Sequence, residues 1–149
     1  MERKIRRTFS REAKAKKERE MEYGSLARDI IDAIEAKILE SGKHEFKIPF
    51  DSYLVMGGIA KCGVWTSGVG TRRVVIIEEP EFADIRAERG VTIISEDSDT
   101  FFPFVRFKEE IYEGSNLTKS IYSDKDATFD LRPRMLRFLE DIKRWEIVA

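Results

Sequence analysis

The chain has 149 residues, 42% of them apolar, and 27 Lys+Arg against 28 Asp+Glu for a net charge of −1, which suits one domain with a buried core. No apolar run reaches the roughly 18 residues of a membrane span, and the charged opening MERKIRRTFS has no apolar stretch behind it, so a cytoplasmic protein is expected. A single cysteine, Cys62, and a single histidine, His44, exclude an intrachain disulfide, a cysteine zinc site and a multi-histidine metal site.

Charged residues make up 37% of the chain, with no glutamine and one asparagine, Asn116. Many ion-pairing side chains and few thermolabile amides are expected of a thermophile's protein. The charge is unevenly placed. Residues 1–19 hold nine basic residues (Arg3, Lys4, Arg6, Arg7, Arg11, Lys14, Lys16, Lys17 and Arg19) against Glu2, Glu12 and Glu18. That is a net +6, so the remainder carries −7 of the total −1. Ser10 is a candidate helix cap, and the good helix formers of residues 13–21 follow it. We therefore expect a basic helical arm over 1–22 and a globular domain over 23–149. A basic arm on an acidic body is a pattern for polyanion contact, and too few apolar residues are present for a membrane-surface helix.

Gly24-Ser25 is expected to interrupt the arm. Leu26, Ile30, Ile34 and Ile38 then recur every four residues, which predicts an amphipathic helix over 26–40 ended by Ser41-Gly42. Phe46, Ile48 and Phe50 alternate with polar neighbours and predict a strand, which Pro49 makes a short or edge strand. Residues 53–62 read as a second helix capped by Asp51 or Ser52, although Gly57-Gly58 weakens it and suits close approach by a neighbour. Residues 64–66 and 72–79 read as strands about a turn at 67–71, with Val74 to Ile77 buried on both faces. Residues 81–89 suit a short helix with Gly90 as its C-terminal cap, and 91–95 a strand. Phe101, Val105, Phe107 and Ile111 share one face of a further strand, followed by a turn at Gly114-Ser115-Asn116. A final helix over 133–145 opens on Pro133 and lines Met135, Leu136, Leu139, Ile142 and Trp145 along its apolar side. The order predicts an α+β domain, its mixed or antiparallel sheet of about 4–6 strands packed by the two helices.

The stretch WTSGVGTRRVV, residues 65–75, lacks the lysine and following helix of a phosphate-binding loop and reads as a hairpin. Helix, strand, helix and hairpin over 26–78 are in the order of a winged-helix unit. Arg72 and Arg73 would then sit at the wing's base, where guanidinium groups contact phosphates. The segment 53–62 has one charge, Lys61, and no array for reading base edges. Low sequence specificity is therefore expected.

Two apolar strands end in carboxylates, at Glu78-Glu79 and at Glu96-Asp97-Ser98-Asp99. Joined by a short parallel crossover, they would bring Glu79, Asp97 and Asp99 to one sheet edge as ligands for Mg²⁺ or Mn²⁺, the arrangement of a metal-dependent nuclease. The acidic end over 94–99 locally resembles that of NYN- and PIN-type nucleases, with Glu96 where their pattern has glycine. Cys62 reads as a core residue and His44 as a surface one. The reading favoured by the residues is a non-enzymatic nucleic-acid-binding protein contacting DNA or RNA through the arm, Arg72 and Arg73. The alternatives are the nuclease, and an assembly protein whose Phe102/Phe104 face packs on a second subunit.

Overall fold

The computed structural model describes residues 2–68, 70–94, 104–125 and 130–148, with the side chains of 2–10 left aside. A 40-residue helix, α1 (Glu2–Ser41), is followed by six strands: β1 (Glu45–Ile48), β2 (Gly58–Thr66), β3 (Thr71–Glu79), β4 (Ile85–Ile94), β5 (Phe104–Glu113) and β6 (Asn116–Tyr122). Helix α2 (Arg132–Arg144) and the short β7 (Glu146–Ile147) complete the chain. The strands form one sheet ordered β6-β5-β4-β3-β2-β1-β7, with every neighbouring pair antiparallel. The fold is α+β, with seven strands. Among the described residues, no helix is long and apolar enough to cross a membrane.

Both helices lie on one face of the sheet. Ile30, Ile31 and Ile34 of α1 and Met135, Phe138 and Ile142 of α2 are fully buried against Phe46, Ala60, Val74, Ile76, Val91 and Phe107. The helices run parallel and in step. Tyr23 Oη accepts the Leu131 N–H at 3.0 Å at one end, and Lys37 Nζ donates to the Trp145 carbonyl at 2.8 Å at the other. Gly42, at φ 68°, ends α1 by donating its N–H to the Ile38 carbonyl at 2.7 Å. Trp145, buried at the end of α2, stacks on Phe46 of β1 with centroids 5.8 Å apart.

Several expectations are corrected. Gly24-Ser25 does not interrupt α1. Gly24 is buried beside Tyr23 within a continuous helix. Residues 53–62 are not a helix. Gly57 and Gly58 have φ of 70° and 128°, outside the helical region, and the chain enters β2 at Gly58. The winged-helix order is therefore absent. Residues 81–89 are not a helix either. From Ile85 the chain runs as β4, with Ala87, Arg89, Val91 and Ile93 buried in alternation. Gly90 is no cap; a Cβ there would lie 2.7 Å from the Val74 carbonyl oxygen of the neighbouring strand. β1 is short but interior, lying between β2 and β7. Val75 and Ile77 of β3 are only half-buried, because the helices cover just one face. On α2, Leu136 is exposed and Phe138 takes the core position.

Gly58 marks a close approach. A Cβ there would overlap the Glu79 carbonyl oxygen and lie 2.8 Å from Pro80 Cα. Gly58→Ala is expected to destabilise the fold by about 1–3 kcal/mol through overpacking. Urea unfolding checks this, with Gly57→Ala as the comparison, since a Cβ at Gly57 meets nothing within 4 Å and carries only the cost of its positive φ.

Candidate nucleic-acid interface

The basic segment forms the free half of α1. Arg3, Lys4, Arg6 and Arg7 lie on the opening turns of the helix. Arg11, Lys14, Lys16 and Lys17 follow, all exposed, and from Arg11 onward the first buried side chain is Tyr23. None of these four is in an ion pair with a described residue. At 1.5 Å per residue, the stretch from Arg3 to Lys17 is a cationic rod about 21 Å long.

The hairpin arginines part company, because neighbours on a strand face opposite ways. Arg72 turns to the helix side, where Nη2 meets Asp32 at 2.9 Å and Glu35 at 3.2 Å on α1. This ties β3 to the packed half of α1 and engages Nη2 of the guanidinium. Arg73 faces the side of the sheet that no described helix covers. It is exposed and makes no hydrogen bond or ion pair with a described residue. The hairpin itself is as expected, with Ser67 N–H donating to the Thr71 carbonyl at 2.9 Å.

The two strands that lead into the acidic segments do not run parallel. β3 and β4 are antiparallel, with Ile94 paired to Thr71 at the start of β3 and Glu79 at its far end. The parallel crossover on which a shared Mg²⁺ or Mn²⁺ site depended is absent. Asp97 and Asp99 lie outside the described residues, as does Phe102. Among the described residues no group of three His, Cys, Asp or Glu side chains is placed to hold a metal. Glu79 pairs with Lys61 at 3.5 Å. Burial pushes the Cys62 thiol up to about 12, with Glu78 adding to the effect, which keeps it a neutral core group.

Sequence reasoning missed a buried ion network. Arg89 of β4 and Glu78 of β3 have no exposed side-chain surface. Arg89 Nε donates to Glu78 Oε1 at 2.7 Å, and Nη2 donates to the same oxygen. Nη1 and Nη2 each lie 3.4 Å from Asp141 Oδ2 of α2, and the guanidinium stacks 4.3 Å above the Phe138 ring. Glu109 of β5 joins from the side, held by Arg134 at 3.2 Å. The Asp141 Oδ1 atom accepts from Arg144 at 2.8 Å. Burial raises the Glu78 carboxyl above its ordinary value, with Arg89 pulling the other way, and raises Glu109 against the pull of Arg134 and Arg89. Shifted carboxyls are often catalytic, but full burial keeps any substrate from Glu78 and Arg89. The network is architectural. The signal that could have found it is the alternation Ala87, Arg89, Val91, Ile93, in which an arginine occupies a core phase.

Elsewhere, Phe50, Met56 and Phe82 are exposed around a hollow of about 370 Å³ at one end of the sheet. No protein-family profile, curated protein or solved structure matches the chain.

Two outcomes are expected of the network. Arg89→Met leaves buried carboxylates without their cation and should cost about 3–5 kcal/mol at neutral pH. The cost should shrink as pH falls and the raised Glu78 and Glu109 carboxyls protonate, as read by urea unfolding at neutral and at acidic pH. A carboxyl raised in the fold contributes stability that is full below its ordinary value of 4.5 and is lost as pH rises through the raised value. Glu109→Gln should therefore gain stability relative to the parent as pH climbs from about 4.5 to 7. A constant difference across that range would contradict the assignment.

Proposed function

We propose that the protein binds nucleic acid through its phosphates, with low sequence specificity, using the free half of α1. The observation that carries this reading is that Arg11, Lys14, Lys16 and Lys17 lie exposed, and unpaired among the described residues, on a helix that continues unbroken into the core. Phosphate binding by Lys and Arg draws on counterion release, and each neutralised phosphate adds to the salt dependence. The projecting segment has no Asn or Gln for bidentate contact with adenine, which supports contact with the backbone rather than with bases. Arg73 adds a cation from the body. Arg72 does not, since Asp32 and Glu35 hold it.

The test is fluorescence anisotropy of labelled DNA and RNA duplexes at several salt concentrations. Full-length protein is expected to bind with an affinity that falls steeply with salt. Replacing Arg11, Lys14, Lys16 and Lys17 together by Gln should flatten the plot of log K against log salt by about 0.9 for each duplex phosphate no longer neutralised. Failure to bind at low salt, or an unchanged slope in the variant, would refute the reading.

A second reading, an assembly protein, draws on the exposed side chains of Phe50, Met56 and Phe82. It expects a mass by light scattering that rises with concentration and drops to the monomer in Phe82→Asp, with indifference to nucleic acid.

A further inference from the structure

The helix-free face of the sheet carries a second feature. Strand register sets Trp65, Arg73, Thr92 and Arg106 in one row across β2, β3, β4 and β5. The next row is Gly63, Val75, Gly90 and Lys108. Two glycines leave this second row low, and a hollow of about 290 Å³ opens above Val75 and Gly90. Arg73, Arg106 and Lys108 are the charged residues of its lining, which includes no carboxylate among the described residues. Phe104 stands at its rim, 48% exposed, and Trp65, 56% exposed, stands beside Arg73.

The cations are not equally engaged. Lys108 is held by Glu88 at 2.6 Å and Glu110 at 3.0 Å, one row further along the face. Arg106 gives Nε and Nη2 to Asp124 at 3.0 and 2.6 Å, which leaves Nη1 free among the described residues. Arg73 is wholly unengaged by them. An anion placed between Arg73 and Arg106 would therefore meet one free guanidinium and one free guanidinium edge. Exposed aromatic rings flank that position on both sides. Trp65 is three strands from the strand of Phe104, about 14 Å at some 4.8 Å per strand, a span for a few nucleotides.

From this juxtaposition we propose that the open face binds single-stranded nucleic acid, with bases stacked on Trp65 and Phe104 and a phosphate between Arg73 and Arg106. Alternating rings and cations are what an unpaired strand requires. Its bases expose π-faces that a duplex hides, and its backbone runs past them as a line of charge. A duplex could use the arm but not the rings. The proposal rests on the nucleic-acid reading and adds which form of nucleic acid the body prefers.

The protein carries its own reporter. Of the two tryptophans, Trp145 is buried against Phe46, so quenching by a bound base reads Trp65. The experiment titrates full-length protein with a 15-nucleotide oligothymidylate and with a duplex of equal length, following tryptophan emission and anisotropy. The single strand is expected to quench emission, and Trp65→Phe should abolish the quenching. Trp65→Ala should weaken single-strand binding about 5- to 150-fold, the range for loss of one stacked base. Arg73→Glu should weaken it at least about tenfold while changing duplex affinity far less. Circular dichroism verifies that these surface variants fold. Single-strand binding without quenching, or equal losses for both probes in Arg73→Glu, would overturn the proposal and leave the arm reading standing. Single-strand binding that survives neutralisation of the arm, with quenching intact, would sink the arm reading and keep this one. No binding of either probe sinks both.

Discussion

The seating of α2 depends on Arg89. A fully buried guanidinium is costly unless its charge and donors are met, and here they are met by Glu78 from β3 and Asp141 from α2, with Phe138 beneath. These bonds join α2 to β3 and β4 in the position that its buried Met135, Phe138 and Ile142 also take. That position sets the rest, because α1 is clipped to α2 at both ends, by Tyr23 on Leu131 and by Lys37 on Trp145. Arg72 then ties α1 back to β3.

Two consequences for function follow from that packing. First, only the second half of α1 is needed to cover the sheet, so the first half leaves the body as a continuation of a fixed helix. The basic residues thereby lie on a continuation of the packed helix. Second, both helices take the same face, and no described helix covers the opposite one. A seven-stranded antiparallel sheet with one solvated face is ordinary. What is less ordinary is its content, with Trp65 and Phe104 exposed beside an arginine that no described residue pairs. Among the described residues, Glu88 and Glu110 on this face are already paired with Lys108.

Much of the fold was legible in the sequence. The fourfold spacing of Leu26, Ile30, Ile34 and Ile38 marked the packed half of α1, the Gly-containing turn marked the β2–β3 hairpin, and Pro133 marked the start of α2. At Gly90 a glycine was read as the cap of a helix, while the structure uses it for approach between strands, which depends on partners distant in sequence. At Gly57-Gly58 the close approach was legible, and Gly58 makes it, but the helix expected around the pair was not formed. Gly24 was read as a break, and α1 runs through it. Arg89 was hidden because an arginine is scored as polar whatever its phase. The site was half legible. The arm's charge could be counted, but the opposite faces of Arg72 and Arg73 required strand alternation to be applied to the pair. The row from Trp65 to Arg106 required register, which no single strand contains.

The central claim is that the uncovered sheet face and the projecting helix together form the binding surface. The most direct test is photocrosslinking of full-length protein to a bromouridine-substituted single strand, with the crosslinked peptides mapped by mass spectrometry. Crosslinks at Trp65 or Phe104 and in the segment before Tyr23 are the expected result. Crosslinks confined to α2, or to the Phe50, Met56 and Phe82 end of the sheet, would contradict it.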